Sequence, residues 1–196
     1  MRFVTSTLIG AAFALGLVGA AQAETYTLDK SHTAIHFTVD HVGYSLTHGF
    51  FTEFDAEIEY DIDKPEESSV VFTIDATSVN TLWPARDKHV RAKDFLDVRK
   101  HAEIVFESKE IEVTGEDTAK LTGDLTIVGV TKEQEFEVLL RKSAPSPFDS
   151  KMMVVGFQVT GVIDRTDFGI SYAVPAVGAE IPVQIDLEIN RPLSGS

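Results

Sequence analysis

Three groups of residues in this 196-residue chain have types and spacing that could do chemistry: six histidines, the run Asp164-Arg165-Thr166-Asp167, and the basic stretch around Arg86. Histidines suggest a transition metal, which ring nitrogens hold at about 2 Å. Spacing argues against the pairs that lie near each other in sequence. His36 and His41 are an odd number of positions apart, so on a strand they face opposite sides. His32 and His36 share a face, yet at roughly 3.3 Å per residue they stand about 13 Å apart. A metal site would require His48, His89 or His101 to be brought in by folding. Asp164, Arg165 and Asp167 offer acid–base groups, but a tight polar turn accounts for them equally well. The chain has no cysteine, no glycine-rich phosphate loop and no serine in a nucleophile-elbow setting. Nothing here argues for catalysis, and no cofactor is expected.

The basic stretch reads as a helix. Pro84 suits a first helical turn, and good helix formers follow to Asp94. Spacing of i, i+3, i+7 sets Arg86, His89 and Lys93 on one face, where they could meet a polar head group or simply be solvated. Asp87 and Arg91 form an i, i+4 pair expected only to support the helix.

The elements that must position these groups are strands. Ile35, Phe37 and Val39 alternate with His36, Thr38 and Asp40, and the same period of two recurs seven times. The further runs are Ala56–Tyr60, Val70–Ile74, Ile104–Phe106, Leu121–Ile127, Phe136–Leu140, Val155–Val159 and Val183–Ile189. One dry face and one wet face per strand predict eight half-buried antiparallel strands. Gly43 and Gly49 are read as flanking a turn between the first two. Gly123, Gly129, Gly161 and Gly169 are read as bends that let a sheet curl shut. The helix falls in the long connection between the third and fourth strands. The expected fold is all-β: a closed, antiparallel, eight-stranded barrel with one short helix.

Compartment and partners follow from the ends and the charge. Arg2, the apolar run Leu8–Ala20 and the small-x-small pattern Ala21-Gln22-Ala23 predict a signal peptide over 1–23. The domain then spans 24–196, exported and periplasmic, with no cysteine to acylate and with Pro192–Ser196 frayed. The formal charge of −14 repels nucleic-acid phosphates and anionic membrane surfaces, so no nucleic-acid partner is expected.

Several stretches resemble the YceI-like polyisoprenoid-binding family. They are Ser31–Gly43, Arg86–Arg91 with Asp94–Val98, Leu121–Ile127 with Gly129–Lys132, and Gly161–Arg165 with Asp167–Gly169. They cover nearly all of the chain beyond residue 23, in the family's order. Departures are Pro84 after Trp83, and Val90, both at the helix. The resemblance implies a lipocalin-like barrel around an elongated pocket, a long-chain isoprenoid lipid or quinone as ligand, transient exchange with membranes, and a homodimer.

Parity alone sends Phe37, Val39, Phe72, Ile74, Phe106, Leu125, Ile127 and Phe157 inward. Such residues fill the core of many small barrels, and from the residues either a plugged core or a cavity is open; the resemblance favours the cavity. Thirteen Phe against four Tyr make an apolar wall suited to a hydrocarbon tail. Trp83, Phe95, Leu96 and Phe168 come from irregular segments and are candidates for the rim. His41 continues the inward parity and, with His89, is the candidate for a head group. The alternative reading is a metal-binding or structural stress protein without a lipid.

Overall fold

The computed structural model describes residues 23–193. The expected signal peptide, residues 1–22 of it, lies outside the described residues, as do residues 194–196. The strands are β1 (Glu24–His41), β2 (Ser45–Phe51), β3 (Phe54–Tyr60), β4 (Ser69–Asp75), β5 (Val79–Asn80), β6 (Glu103–Val113), β7 (Thr118–Ile127), β8 (Val130–Pro145), β9 (Met152–Asp164) and β10 (Glu180–Pro192). One α-helix, α1 (Pro84–Val90), lies between β5 and β6.

Hydrogen bonding runs β10-β9-β8-β7-β6-β4-β3-β1, and β1 pairs back onto β10. These eight strands close an antiparallel barrel, and they are the eight runs that the period of two predicts. β7 shows the cause: Leu121, Gly123, Leu125 and Ile127 are buried while Lys120, Thr122, Asp124 and Thr126 are not. A one-residue slip would turn that apolar set to water. Closure leaves few bare edges for other chains to pair with.

Two strands were not expected. β2 folds back on β1 with Phe37 opposite Gly49, and β5 adds two residues to β2. Gly49 therefore sits inside a strand rather than beside a turn. Its lack of a side chain makes room for the Phe37 ring, which a Cβ there would strike. The turn is made instead by Val42 and Gly43, both at positive φ, with Tyr44 N–H donating to His41 O at 3.0 Å. The barrel's bulges, marked by register shifts, fall at Asp29–Ala34, Ser108–Glu110 and Leu140–Lys142. None coincides with Gly123 or Gly161, so those glycines serve a different purpose from the expected bends. At the far terminus Pro192 is still paired with Met152 in the β10–β9 ladder, so it is held rather than frayed.

Candidate functional site: an apolar tunnel through the barrel

Inward-facing residues do not meet across the axis. They line a cavity of about 530 Å³ that runs from the loops around α1 to the opposite end of the barrel, where Tyr60, Ser68 and Asp117 border it. The wall holds Phe37, Val39, Phe72, Ile74, Phe106, Leu125, Ile127 and Phe157 as parity predicts. Val138, Val159, Ile185 and Leu187 complete it from β8, β9 and β10. Those four obey the same parity and could have been found by extending it to every strand.

His41, His89, Phe95 and Leu96 border the cavity at the α1 end. His89, Phe95 and Tyr172 form a triangle of rings in edge-on contact, with centroids 5.1 to 5.3 Å apart. Tyr172 lies far from the other two in sequence and carries no periodic signal, so residue spacing did not reveal it. Two rim expectations are corrected. Trp83 is 63% exposed and outside the lining, because it immediately precedes α1 and points to solvent. Phe168 is 2% exposed, because it sits in the 3-10 turn Arg165–Phe168 and packs into the core rather than the rim.

The basic stretch is reordered as well. α1 ends at Val90, so Lys93 is not on a shared helical face with Arg86 and His89. Arg86 borders the cavity, but its Nε donates to Thr81 Oγ1 at 2.8 Å and its Nη2 to Thr81 O at 2.6 Å. Asp87 does not pair with Arg91. It is buried and accepts from Thr81 N at 2.7 Å and Thr81 Oγ1 at 2.5 Å. Arg91 instead donates to Thr77 O and Val79 O. A buried carboxylate with two donors is tolerable where an unpaired one is not.

Arg165 is the other cation at this end. Only 6% exposed, it donates to the carbonyls of Gly178, Ile170, Tyr172 and Val177 at 2.8 to 3.0 Å. Its guanidinium carbon stands 5.7 Å from the Phe95 ring centroid. Burial lowers its pKa, opposed by neighbouring Asp164, yet an arginine stays charged under such a shift. Asp164 caps the 3-10 turn by accepting from Thr166 N and Oγ1, and these bonds lower its pKa. The Asp164–Asp167 run is thus a structural turn around a buried arginine, and both cations bordering the tunnel are engaged by backbone oxygens. At the opposite end Tyr60, whose pKa is raised by burial, meets Phe157 edge-on at 5.4 Å.

Metal-ligating side chains converge only on the outside of the barrel among the described residues. Asp29, His32 and Glu188 bring one ligand atom each within 4.8 Å of one another, through the pairing of Asp29 with Glu188 across β1 and β10. His32 Nδ1 lies 2.9 Å from Asp29 Oδ2. His48 does converge on His36, with stacked rings and Nδ1 to Nε2 at 2.9 Å. Neither group faces the tunnel, so the tunnel itself is hydrocarbon-lined with a few polar groups at its ends. That suits binding of an apolar chain and offers no assembled catalytic constellation.

This architecture has close parallels. A Campylobacter jejuni YCEI protein is 31% identical, with a TM-score of 0.72 over 87% of this chain and 99% of that one. Burkholderia cenocepacia BcnA shares the fold at 21% identity, with a TM-score of 0.74 over 82% and 98% of the two chains. A UPF0312 protein of Ectopseudomonas mendocina is 39% identical over 155 residues, which is 78% of this chain and 80% of that one. The YceI-like domain model matches residues 26–189, almost the whole described barrel. The chain belongs to the YceI-like domain family.

Proposed function

We propose that this chain is an exported, periplasmic, non-enzymatic lipid-binding protein that carries the tail of an isoprenoid lipid, such as a quinone, in its barrel. The observation that carries the reading is the apolar cavity along the barrel axis. A domain with the same fold, at 15% identity and a TM-score of 0.64 over 85% of this chain and 98% of that one, is described as a polyisoprenoid binding domain from Saccharophagus degradans.

Volume limits the ligand. A liquid-water-sized group takes roughly 30 Å³, so 530 Å³ encloses about 18 such groups, roughly three to four five-carbon units. A longer tail must emerge from an end of the barrel. Transfer of each methylene from water gains about 0.8 kcal/mol, but a bilayer offers the tail the same gain. Exchange between membrane and barrel is then nearly balanced, which fits a reversible carrier.

The head group follows from the cations. Arg86 and Arg165 are engaged by backbone oxygens, which disfavours a phosphate head at this mouth. His41 and Tyr172 border the cavity and make no side-chain hydrogen bond among the described residues. They fit a head that hydrogen-bonds through carbonyl or hydroxyl oxygen, as a quinone or prenol does.

Uptake measures the reading directly. Purified protein incubated with geranylgeraniol or a quinone with a four-isoprene tail is expected to retain one molecule in native mass spectrometry. Val159→Phe, which fills the lumen opposite Val138, is expected to reduce retention at least tenfold with the fold intact by circular dichroism. Wild-type protein that retains neither ligand overturns the proposal.

A further inference from the structure

We propose that the α1 end of the barrel is a docking face for the surface of an anionic lipid bilayer. The inference rests on the tail-binding reading and adds which end meets the membrane. Three loops meet there. Val42 N–H donates to Ala176 O, His41 bridges to Val177, and Tyr172 packs against His89 and Phe95 beside α1. Each loop presents large apolar side chains to solvent: Tyr44 (86% exposed) and Leu46 from the β1–β2 turn, Leu82 (71%) and Trp83 (63%) ahead of α1, and Tyr172 and Val174 beyond the 3-10 turn.

An exposed apolar collection of this size needs a partner, and its charge identifies which. Residues 81–101 carry six Lys and Arg against three Asp, a net of +3 in a chain of −14. Lys88, Lys93 and Arg99 are exposed and have no ion-pair partner among the described residues. The nearby acids are partly engaged: Asp94 faces His89, Asp97 faces Lys100, and Asp40 accepts from Gly43 N–H. Charges elsewhere on the barrel are screened beyond about 8 Å at physiological salt, so contact at this end is governed by the local cations. Trp and Tyr together with Lys and Arg is the composition that settles at a bilayer interface. The opposite mouth differs, bordered by Glu59, Glu116 and Asp117. The apolar rim is continuous with the tunnel mouth, so a tail could pass between bilayer and barrel without crossing water.

Trp83 is the only tryptophan and reports the contact. With vesicles of phosphatidylethanolamine and phosphatidylglycerol, its emission is expected to shift to the blue and to be quenched by brominated acyl chains. The double variant Tyr44→Ser/Leu82→Asn keeps the probe, and its partitioning is expected to fall at least tenfold. Phe148→Ser, at the other end of the barrel, is expected to change it less than twofold. Absence of a shift, or equal partitioning into pure phosphatidylcholine, overturns the proposal. A blue shift without lipid that grows with protein concentration, alongside a dimer in sedimentation, also overturns it and assigns the face to a second copy. Geranylgeraniol uptake without vesicles, measured on the same proteins, separates the two readings. Loss of docking with uptake retained counts against this inference alone, whereas wild type that takes up no tail counts against the tunnel's function.

Discussion

Phe136 on β8 lies over Gly161 on β9, so close that a methyl at Gly161 would stand 2.6 Å from the ring's Cδ1. The relationship recurs: Phe106 covers Gly123, and Phe37 covers Gly49. All three rings border the tunnel. A glycine on the next strand lets each ring lie along the wall instead of projecting across the axis, which is how a lumen rich in phenylalanine keeps a void. Covering a strand glycine with an aromatic ring also protects its bare backbone.

Gly161→Ala is therefore expected to push the Phe136 ring inward. Overpacking of this kind costs about 1–3 kcal/mol, read as a lower urea midpoint at unchanged slope. Uptake of geranylgeraniol is expected to fall as well. Gly156, where a Cβ meets only ordinary contacts at 3.8 Å or more, is the control: Gly156→Ala is expected to retain uptake.

Arg165 tests the loop that supplies Tyr172. Its guanidinium ties four carbonyls of residues 170–178 to one point. Lysine has a single nitrogen and cannot reproduce that fork. Arg165→Lys is expected to destabilise the protein by about 1–3 kcal/mol, the penalty for buried polar groups left unpaired. Hydrogen exchange is expected to rise across residues 170–178 and little elsewhere.

Asp87 tests the base of α1. Asp87→Ala leaves the Thr81 N–H buried without an acceptor, a loss of about 1–3 kcal/mol. Asp87→Ala and Thr81→Ala share that bond, so the double variant is expected to fall short of the sum of the two. Thermal or denaturant unfolding of the four proteins checks this.

A pH profile tests the outer bulge. Ser31 and then His32 hydrogen-bond to Asp29 and lower its pKa from 3.8 to about 2. The hydrogen bond to Asp29 raises the pKa of His32 above 6.5. The depressed Asp29 contributes stability that is present above pH 3.8 and lost as pH falls toward 2. The raised His32 contributes stability that is present below pH 6.5 and lost as pH rises through its folded pKa. Both contributions are in full force between pH 3.8 and 6.5. His32→Ala is expected to lose the alkaline decline relative to wild type, measured by urea midpoints at pH 3, 5 and 8. The effect is small, since the His32 side chain is 63% exposed and solvent screens it.

The barrel strands were legible because a half-buried strand must alternate, and each run such as Val70–Ile74 carries its own record of which face is dry. β2 was not legible. Ser45–Phe51 alternates poorly, with Leu46 exposed and Gly49 buried, because it lies against β1 outside the closed ring. Trp83 and Phe168 were misplaced for a related reason. Their segments are irregular, and residue type alone does not say whether an aromatic ring in a loop turns to solvent or to the core.

The one-dimensional pattern was enough to determine strand identity, closure and the inward apolar set, since these depend on neighbours two residues apart. Whether that set fills the lumen or lines it depends on which residue stands on the next strand, as Gly161 does beside Phe136. Only the tertiary structure decided this, along with the gathering of His89, Phe95 and Tyr172 at one mouth. Contacts between distant segments leave no period in the chain, because they are set by register and loop closure rather than by local spacing.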